Sequence, residues 1–409
     1  MKISPPNVFC VHTGFGSHQQ MGDAEAREQN MYRKATQVSI EDRPDIHSHP
    51  FDEGRAEVQQ PADDQRVSLF HEDLADVRRS FSARRVRLPE DLQLLKRGVQ
   101  PLAGDLLLAR VAALGQHTRL ELSNGRRSQL YVGDQLIVAY GNRYAPDQFE
   151  AEVPPDLEEC HLVAAGGIAS RLLGKHARVK APTRIQPLGL LARPDGGRLN
   201  LRDWRIEARP IPQPLPPVVV VAGTAMNAGK TTAAANLIKG LRRAGLKIGA
   251  AKVTGTGAGG DFWQMVDAGA SEVVDFTDAG YATTYQLAPD EVEKVFVRLL
   301  SHLGGLKLDA IVIEVADGVL QMETAALLSS PAFAYYCQRL VFAAADAMGA
   351  VAGVQYLQRK GLTVSALSGA MSASPLAVRE ACSALGLPVL GKKALSDAST
   401  ALNLLNGKA

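Results

Sequence analysis

The sequence predicts an α/β fold, a mostly parallel sheet with helices on both faces, preceded by a small β-rich domain and a polar amino-terminal segment. Three observations lead there. Beyond residue 217, short apolar runs at 218–222, 247–252, 310–315, 340–345, 363–367 and 388–390 alternate with helical segments, the pattern of strands joined by crossover helices. The first run, four valines and an alanine, enters Gly-Thr-Ala-Met-Asn-Ala-Gly-Lys-Thr-Thr at 223–232, followed by an amphipathic stretch at 234–241. Between Gly98 and Trp204, alternating runs are punctuated by Gly-Asp, Asn-Gly and Pro, which marks short strands and tight turns.

Taken in order, residues 1–85 are polar and without sustained periodicity, as in Gln-Gln-Pro-Ala-Asp-Asp-Gln at 59–65. Such a segment buries too little apolar surface to offset its ordering entropy, so disorder is expected. His12, His18, His47, His49 and His71 match no metal-ligand spacing and read as part of a solvated tail. Within 98–205 the first strands are expected at 106–111, 119–122, 129–132 and 135–140. Two of them open alike, Ala-Gly-Asp-Leu-Leu-Leu-Ala at 103–109 and Val-Gly-Asp-Gln-Leu-Ile-Val-Ala at 132–139. That echo suits a compact barrel, each Gly-Asp making the turn before a strand. A short helix is expected after Gly166-Gly167. The cations Arg171, Lys175, His176, Arg178, Lys180 and Arg184 form either an anion site or, more simply, a solvated basic face. The turn Tyr-Gly-Asn-Arg-Tyr at 140–144 reads as a hairpin cap, with pocket lining as the alternative. Pro210, Pro212, Pro214, Pro216 and Pro217 make a stiff connector. A domain boundary belongs there, leaving 217–409 as the α/β domain.

Composition excludes more than it assigns. The chain has 409 residues, 46% hydrophobic and 22% charged, with a formal net charge of +2. No electrostatic case arises for nucleic acid or membrane. Cys10, Cys160, Cys337 and Cys382 are scattered and suggest neither a disulfide framework nor a zinc site. With no signal-peptide pattern and no apolar run long enough to cross a membrane, a cytoplasmic location is expected.

The chemistry concentrates at 223–232. A phosphate-binding loop needs small residues where backbone N–H groups approach phosphate oxygens, a lysine for the β/γ-phosphates and a hydroxyl for Mg²⁺. Gly229 gives the clearance, Lys230 the ammonium and Thr231 the hydroxyl. Gly223, Thr224, Asn227, Ala228 and Thr232 complete the candidate nucleotide contacts.

The spacing Gly-Thr-x-x-x-x-Gly-Lys-Thr resembles dethiobiotin synthetase and its relatives, and further segments carry the resemblance across about 217–405. Lys-Val-Thr-Gly-Thr-Gly at 252–257 looks like that family's Lys-Pro-Val-x-x-Gly substrate segment. Asp261 lies where the family has a magnesium-binding aspartate. Asp-Ala-Ile-Val-Ile-Glu at 309–314, followed by Val-Ala-Asp-Gly, resembles its strand ending in glutamate. The stretch from Ala345-Asp346 to Ser368-Gly369 resembles the unit whose last turn meets the adenine. The resemblance therefore implies ATP and Mg²⁺ as cofactors, with Thr231, Asp261 and Glu314 holding the metal. It also implies Lys230 and Lys252 as the catalytic cations and Ser368 beside the base. Asp261 after Gly259-Gly260 also suits a helix N-cap, and Lys252 also suits an exposed strand end. The family's acidic loop residue is Ala225 here. A similar loop, and a segment like Val-Asp-Phe at 274–276, occurs in two-domain acyl-transfer enzymes acting on D-glutamate.

The implied reaction places the γ-phosphate of ATP against a small carboxylate or carbamate, giving a mixed anhydride that ligation or ring closure consumes. Positioning and charge carry such a transfer, and no protein nucleophile is required. The partner expected is a small-molecule carboxylate, with neither nucleic acid nor membrane, and a homodimer is the expected assembly. The rival is a nucleotide-gated regulatory or cofactor-assembly protein. Partition and metallochaperone ATPases with a dimer-bridging lysine carry it inside the loop, where this chain has Ala225.

Overall fold

The structure, a computed structural model, describes residues 66–69, 71–96 and 98–408, all within one compact unit spanning 55–409. His12, His18, His47 and His49, and the disorder expected for 1–65, lie outside the described residues.

The β-rich domain begins well before residue 98. Strand β1 (Arg66–Leu69), a 3-10 turn at His71–Leu74, β2 (Arg78–Arg79) and a second turn at Phe81–Ala83 all belong to it. Disorder through residue 85 is thus wrong for the described part of that stretch. Leu74, Phe81, Ala83 and Val86 are too sparse to build a core of their own, yet each docks onto one that the later strands provide. Phe81 is fully buried, which stabilises by about 3–5 kcal/mol relative to alanine.

The domain continues through β3 (Leu92–Leu95), β4 (Leu106–Ala113), β5 (Arg119–Glu121), β6 (Arg127–Gln129), β7 (Gln135–Tyr140), β8 (Arg143–Tyr144), β9 (Phe149–Glu152), β10 (Cys160–Ala164), β11 (Ile168–Lys175) and β12 (Thr183–Ala192). Strands β4, β7, β11, β10 and β12 pair in a closed ring, β12 returning to β4. Closure removes the edges of these five strands. Side chains alternate as a pleated strand requires: Leu107, Ala109 and Val111 join one apolar cluster and Leu106 and Leu108 another. Both Gly-Asp echoes are turns in which glycine is needed, at φ +88° for Gly104 and +95° for Gly133. The helix expected after Gly167 is instead β11. Its Ile-Ala-Ser start is buried and its Arg-Leu-Leu-Gly-Lys end alternates outward, and pairing on both sides fixes it as a strand.

The second sheet contains β13 (Val218–Gly223), β14 (Ile248–Lys252), β15 (Glu272–Asp275), β16 (Ala310–Glu314), β17 (Arg339–Ala343) and β18 (Ala366–Ser368). Its order is β15-β14-β16-β13-β17-β18, every pair parallel. The apolar run at 388–390 makes only an isolated bridge through Val389, and the four-residue edge strand β15 was not anticipated. Helices α1 (Lys230–Arg243), α2 (Gly260–Asp267), α3 (Pro289–Gly304), α4 (Met322–Leu327), α5 (Pro331–Tyr336), α6 (Ala347–Arg359), α7 (Pro375–Leu385), α8 (Lys392–Leu395) and α9 (Ala398–Leu405) cover both faces. The four valines of β13 divide between those faces. Val219 and Val221 pack with Leu237, Ile238 and Leu241 of α1, whereas Val218 and Val220 pack with Val295, Phe296 and Leu299 of α3. A strand sandwiched this way must be apolar on both sides, which is why it reads as a continuous run.

The proline-rich connector lies on α3: the Ser301 hydroxyl donates to the Arg209 carbonyl at 2.6 Å, and Ile211 is buried. The two sheets also meet directly. Arg84 pairs with Asp275 at 3.1 Å and with Asp278, and its guanidinium lies over the Phe81 and Phe262 rings. Phe81 meets Phe262 and Trp263 edge-on at 5.6 and 6.4 Å. The Glu121 carboxylate accepts from the backbone N–H of Gly259 at 2.6 Å, and Gln286 bridges Asn142 and Glu152, each at 2.8 Å.

Candidate functional site

The loop after β13 sits at the carboxyl end of the central strands, where open parallel sheets collect ligands. Gly223 makes room for the stem of Lys230: a Cβ there would lie 2.8 Å from Lys230 Cγ and 2.6 Å from the Ala343 carbonyl oxygen. Gly229 has φ +96° and approaches Gly369 so closely that a Cβ would meet its Cα at 3.0 Å. Asn227 is also left-handed, at φ +65°, a conformation asparagine tolerates. Helix α1 opens at Lys230 with no side-chain cap and no acidic residue in its first turn. Its first N–H groups and the positive end of its dipole therefore face the loop.

Lys230, Lys252, Thr231, Asp261 and Glu314, expected to act together, do converge. They line a cleft of ≈ 420 Å³ with Arg143, Met226, Asn227, Gly229, Thr232, Thr256, Ala258, Ala316 and Asp317. Lys230 is nearly buried and donates to the Ala225 carbonyl at 2.7 Å. Burial lowers its pKa, while the Glu314 and Asp317 carboxylates favour its charged form. Lys252 is not a free strand-end lysine: it forms an ion pair with Asp261, and despite burial the Asp261 and Glu314 carboxylates raise its pKa. Asp261 does not cap α2, whose N-cap is Gly259 with no side-chain bond. Its side chain instead turns toward Thr231 and Lys252.

The Thr231 hydroxyl lies 3.0 Å from Asp261 Oδ1 and 2.8 Å from Glu314 Oε1. One hydroxyl proton serves only one of these carboxylates, so the trio needs a further proton or a cation. Glu314 Oε2 is buried without a partner. Burial, and then the charge of Asp261, pushes the Glu314 carboxyl up to about 7. Asp261, buried too, is held below the usual carboxylate range by Lys252. In an octahedron with metal–oxygen bonds of 2.0–2.1 Å, neighbouring oxygens are about 2.9 Å apart. The Thr231–Asp261 and Thr231–Glu314 separations thus each match one edge of a Mg²⁺ shell. Among the described residues no group of three His, Cys, Asp or Glu side chains could hold a metal; the two-carboxylate, one-hydroxyl set is a candidate on its own oxygen separations.

Other expected residues have supporting places. Thr224 N–H donates to the Ala343 carbonyl at 2.9 Å, and the Ala228 carbonyl accepts from Ala370 N–H at 2.9 Å. Ser368 does not reach the cleft: it is buried, and its hydroxyl donates to the Leu390 carbonyl at 2.7 Å. The turn that follows it braces the phosphate loop. Arg171, Lys175, Arg178, Lys180 and Arg184 are exposed, in line with a solvated face.

Two charged cleft residues, Asp317 and Arg143, were not among the candidates the sequence offered. Asp317, whose carboxyl burial raises, stands in the Val-Ala-Asp-Gly stretch after Glu314, to which the sequence gives no role of its own. Arg143 lies in the turn read as a hairpin cap with pocket lining as the alternative, and the folding of the barrel against the loop, which brings it to the cleft, favours that alternative. The buried anchors Phe81 and Glu121 were also invisible, since their partners lie more than a hundred residues away.

Comparison with known proteins gives a match of residues 218–316 to the family model described as MobB, molybdopterin guanine dinucleotide synthesis protein B. No curated protein matches. Among solved structures, the signal recognition particle 54 kDa protein from Aeropyrum pernix K1, in complex with GDP, is 17% identical over 51% of this chain and 49% of that one, with a TM-score of 0.32. This chain thus spans about half of that protein's length. FtsY from Mycoplasma mycoides is 14% identical over 50% of this chain and 70% of that chain, TM-score 0.32. FtsY from Elizabethkingia anophelis is 17% identical over 52% and 72%, TM-score 0.32. Among the described residues no helix is long and apolar enough to cross a membrane. With the strand, the glycine-bounded loop and the lysine–threonine helix start inside the region of the family match, the carboxy-terminal part of the chain is a P-loop nucleotide-binding domain of the P-loop NTPase superfamily.

Proposed function

We propose that the protein is an ATP- and Mg²⁺-dependent phosphoryl-transfer enzyme that activates a small carboxylate-bearing substrate for ligation or ring closure. The observation that carries this reading is the convergence of Lys230, Lys252 and Arg143 with the Thr231–Asp261–Glu314 oxygens in one cleft. Its volume falls within the range of about 300–1,000 Å³ usual for small-molecule sites. Thr231, Asp261 and Glu314 would hold Mg²⁺, which supplies charge stabilisation for the phosphate oxygens. The loop amides and Lys230 bind the phosphates. Lys252, kept charged by Asp261, stands where charge develops on the transferred group. From the barrel, Arg143 completes the lining of the cleft.

The sequence resemblance to dethiobiotin synthetases supports ATP and a carboxylate acceptor. A second reading, a nucleotide-gated protein of cofactor assembly using GTP, is favoured by the family match at 218–316. Phosphate release from Mg-ATP and Mg-GTP, with and without a panel of small carboxylic and amino acids, separates the two. Release that depends on one carboxylate is expected. Slow release that no acceptor changes, with oligomeric state following the nucleotide, would overturn the enzyme reading in favour of the switch.

A further inference from the structure

Arg143 comes from the barrel, on β8, yet it lines the same cleft as the phosphate-loop residues. It is 7% exposed, its Nη2 donates to Gln148 Oε1 at 3.1 Å, and its Nε–H is buried with no hydrogen-bond partner. An unmade bond from a buried guanidinium is costly, and a ligand oxygen would satisfy it. Burial lowers its pKa only to about 10, with Asp317 and Asp147 opposing, so it stays cationic at neutral pH.

The turn that carries Arg143 is fastened to the loop itself. Four residues on, Asp147 Oδ2 accepts from Asn227 Nδ2 at 3.0 Å, and next to Arg143, Asn142 bonds Gln286. The guanidinium is therefore held at a set distance from loop residues rather than floating on a mobile arm. The cleft it enters is the terminal-phosphate end of the site, because Lys230 reaches β/γ-phosphates and Thr231 serves the metal that bridges them. No cleft residue comes from beyond Asp317.

Charge narrows the choice of ligand. Without Arg143, the two cations Lys230 and Lys252 face the three carboxylates Asp261, Glu314 and Asp317; Arg143 brings the side chains to balance, so that with Mg²⁺ bound this end would carry a positive surplus for a triphosphate tail. A planar guanidinium suits phosphate oxygens. We propose that Arg143 donates its free N–H to the terminal phosphate of the bound nucleoside triphosphate, so that the barrel domain reads the triphosphate state in cis. This rests on the nucleotide reading of the cleft and adds the function of the barrel to it.

The test is calorimetric titration of the full chain with Mg²⁺ and either ATP and ADP or GTP and GDP, whichever pair the wild type binds better. Arg143→Gln should weaken triphosphate binding by at least about tenfold and leave diphosphate binding within about twofold, with Arg143→Lys in between. Equal weakening of both nucleotides, or of neither, would overturn the proposal. An unchanged affinity for both together with reduced carboxylate-dependent turnover would also overturn it, pointing to an acceptor contact. Lys230→Ala is the separate control: if it binds both nucleotides like the wild type, the nucleotide reading itself has failed. Should the Arg143 variants not fold, hydrogen exchange of the wild-type 141–149 segment decides. Slower exchange with triphosphate than with diphosphate is expected, and identical exchange with the two would overturn the proposal.

Discussion

Glu121 lies outside the cleft, yet its removal should change how the site uses Mg²⁺. Its carboxylate, 2% exposed, accepts from Gly259 N–H at 2.6 Å, and Gly259 is the N-cap of the helix whose first turn presents Asp261. A buried hydrogen bond to a charged group is worth about 1.5–3 kcal/mol. If that bond holds 257–261 in register, losing it lowers the population of correctly placed Asp261 by at most about ten- to 150-fold. Glu121→Ala should therefore raise the Mg²⁺ concentration for half-maximal triphosphate binding, by up to about ten- to 150-fold. Binding measured without metal, which relies on the loop and Lys230, should change little. Glu121→Gln keeps an oxygen acceptor of neutral type and should fall between the two. Calorimetry over a Mg²⁺ series reads all three proteins. A lowered melting temperature with an unchanged Mg²⁺ requirement would refute the reasoning and leave Glu121 with a purely structural role.

Further outcomes follow from the same geometry. Lys230→Ala removes a charge-assisted contact and should weaken triphosphate binding by about ten- to 150-fold in a calorimetric titration. Glu314→Gln should lower phosphate-release turnover by roughly a hundredfold while changing nucleotide affinity by less than about tenfold, which steady-state kinetics beside calorimetry would show. Asp278, pushed up to about 6 by burial and by Asp275 against the pull of Arg84, binds a proton in the folded state at pH values where the unfolded chain has lost it. Its contribution to stability is therefore present below its ordinary pKa near 4 and lost as pH rises through about 6. Thermal unfolding between pH 4.5 and 7 should accordingly decline less steeply in Asp278→Asn than in the wild type.

The legible parts of this chain were those whose physics is local. Strand β13 was readable because a doubly covered strand must be apolar throughout, and Gly229-Lys230-Thr231 because phosphate contact restricts consecutive positions. Gly104 and Gly133 announced turns through their own backbone requirement. Asp261 and Glu314 were reachable only through a family resemblance, since nothing near them in sequence says that their oxygens meet Thr231. Arg143 stayed open between hairpin cap and pocket lining for a different reason. A Tyr-Gly-Asn-Arg-Tyr turn looks like any hairpin until the barrel is set against the loop 80 residues later, where Asp147 meets Asn227. Residues 66–69 and 71–85 misled in the opposite direction: their composition is that of a chain unable to fold alone, and they are ordered because other residues supply the apolar surface. Ser368 shows the limit of resemblance, for its position matched and its hydroxyl was already bonded to Leu390.

A crystal structure of the full chain with Mg²⁺ and a non-hydrolysable nucleoside triphosphate tests the central claim most directly. The account predicts the β- and γ-phosphates on the backbone amides of the 223–231 loop, with the Lys230 ammonium moved from the Ala225 carbonyl to a phosphate oxygen and Mg²⁺ against Thr231. A nucleotide bound elsewhere, with Lys230 still on Ala225, would contradict it.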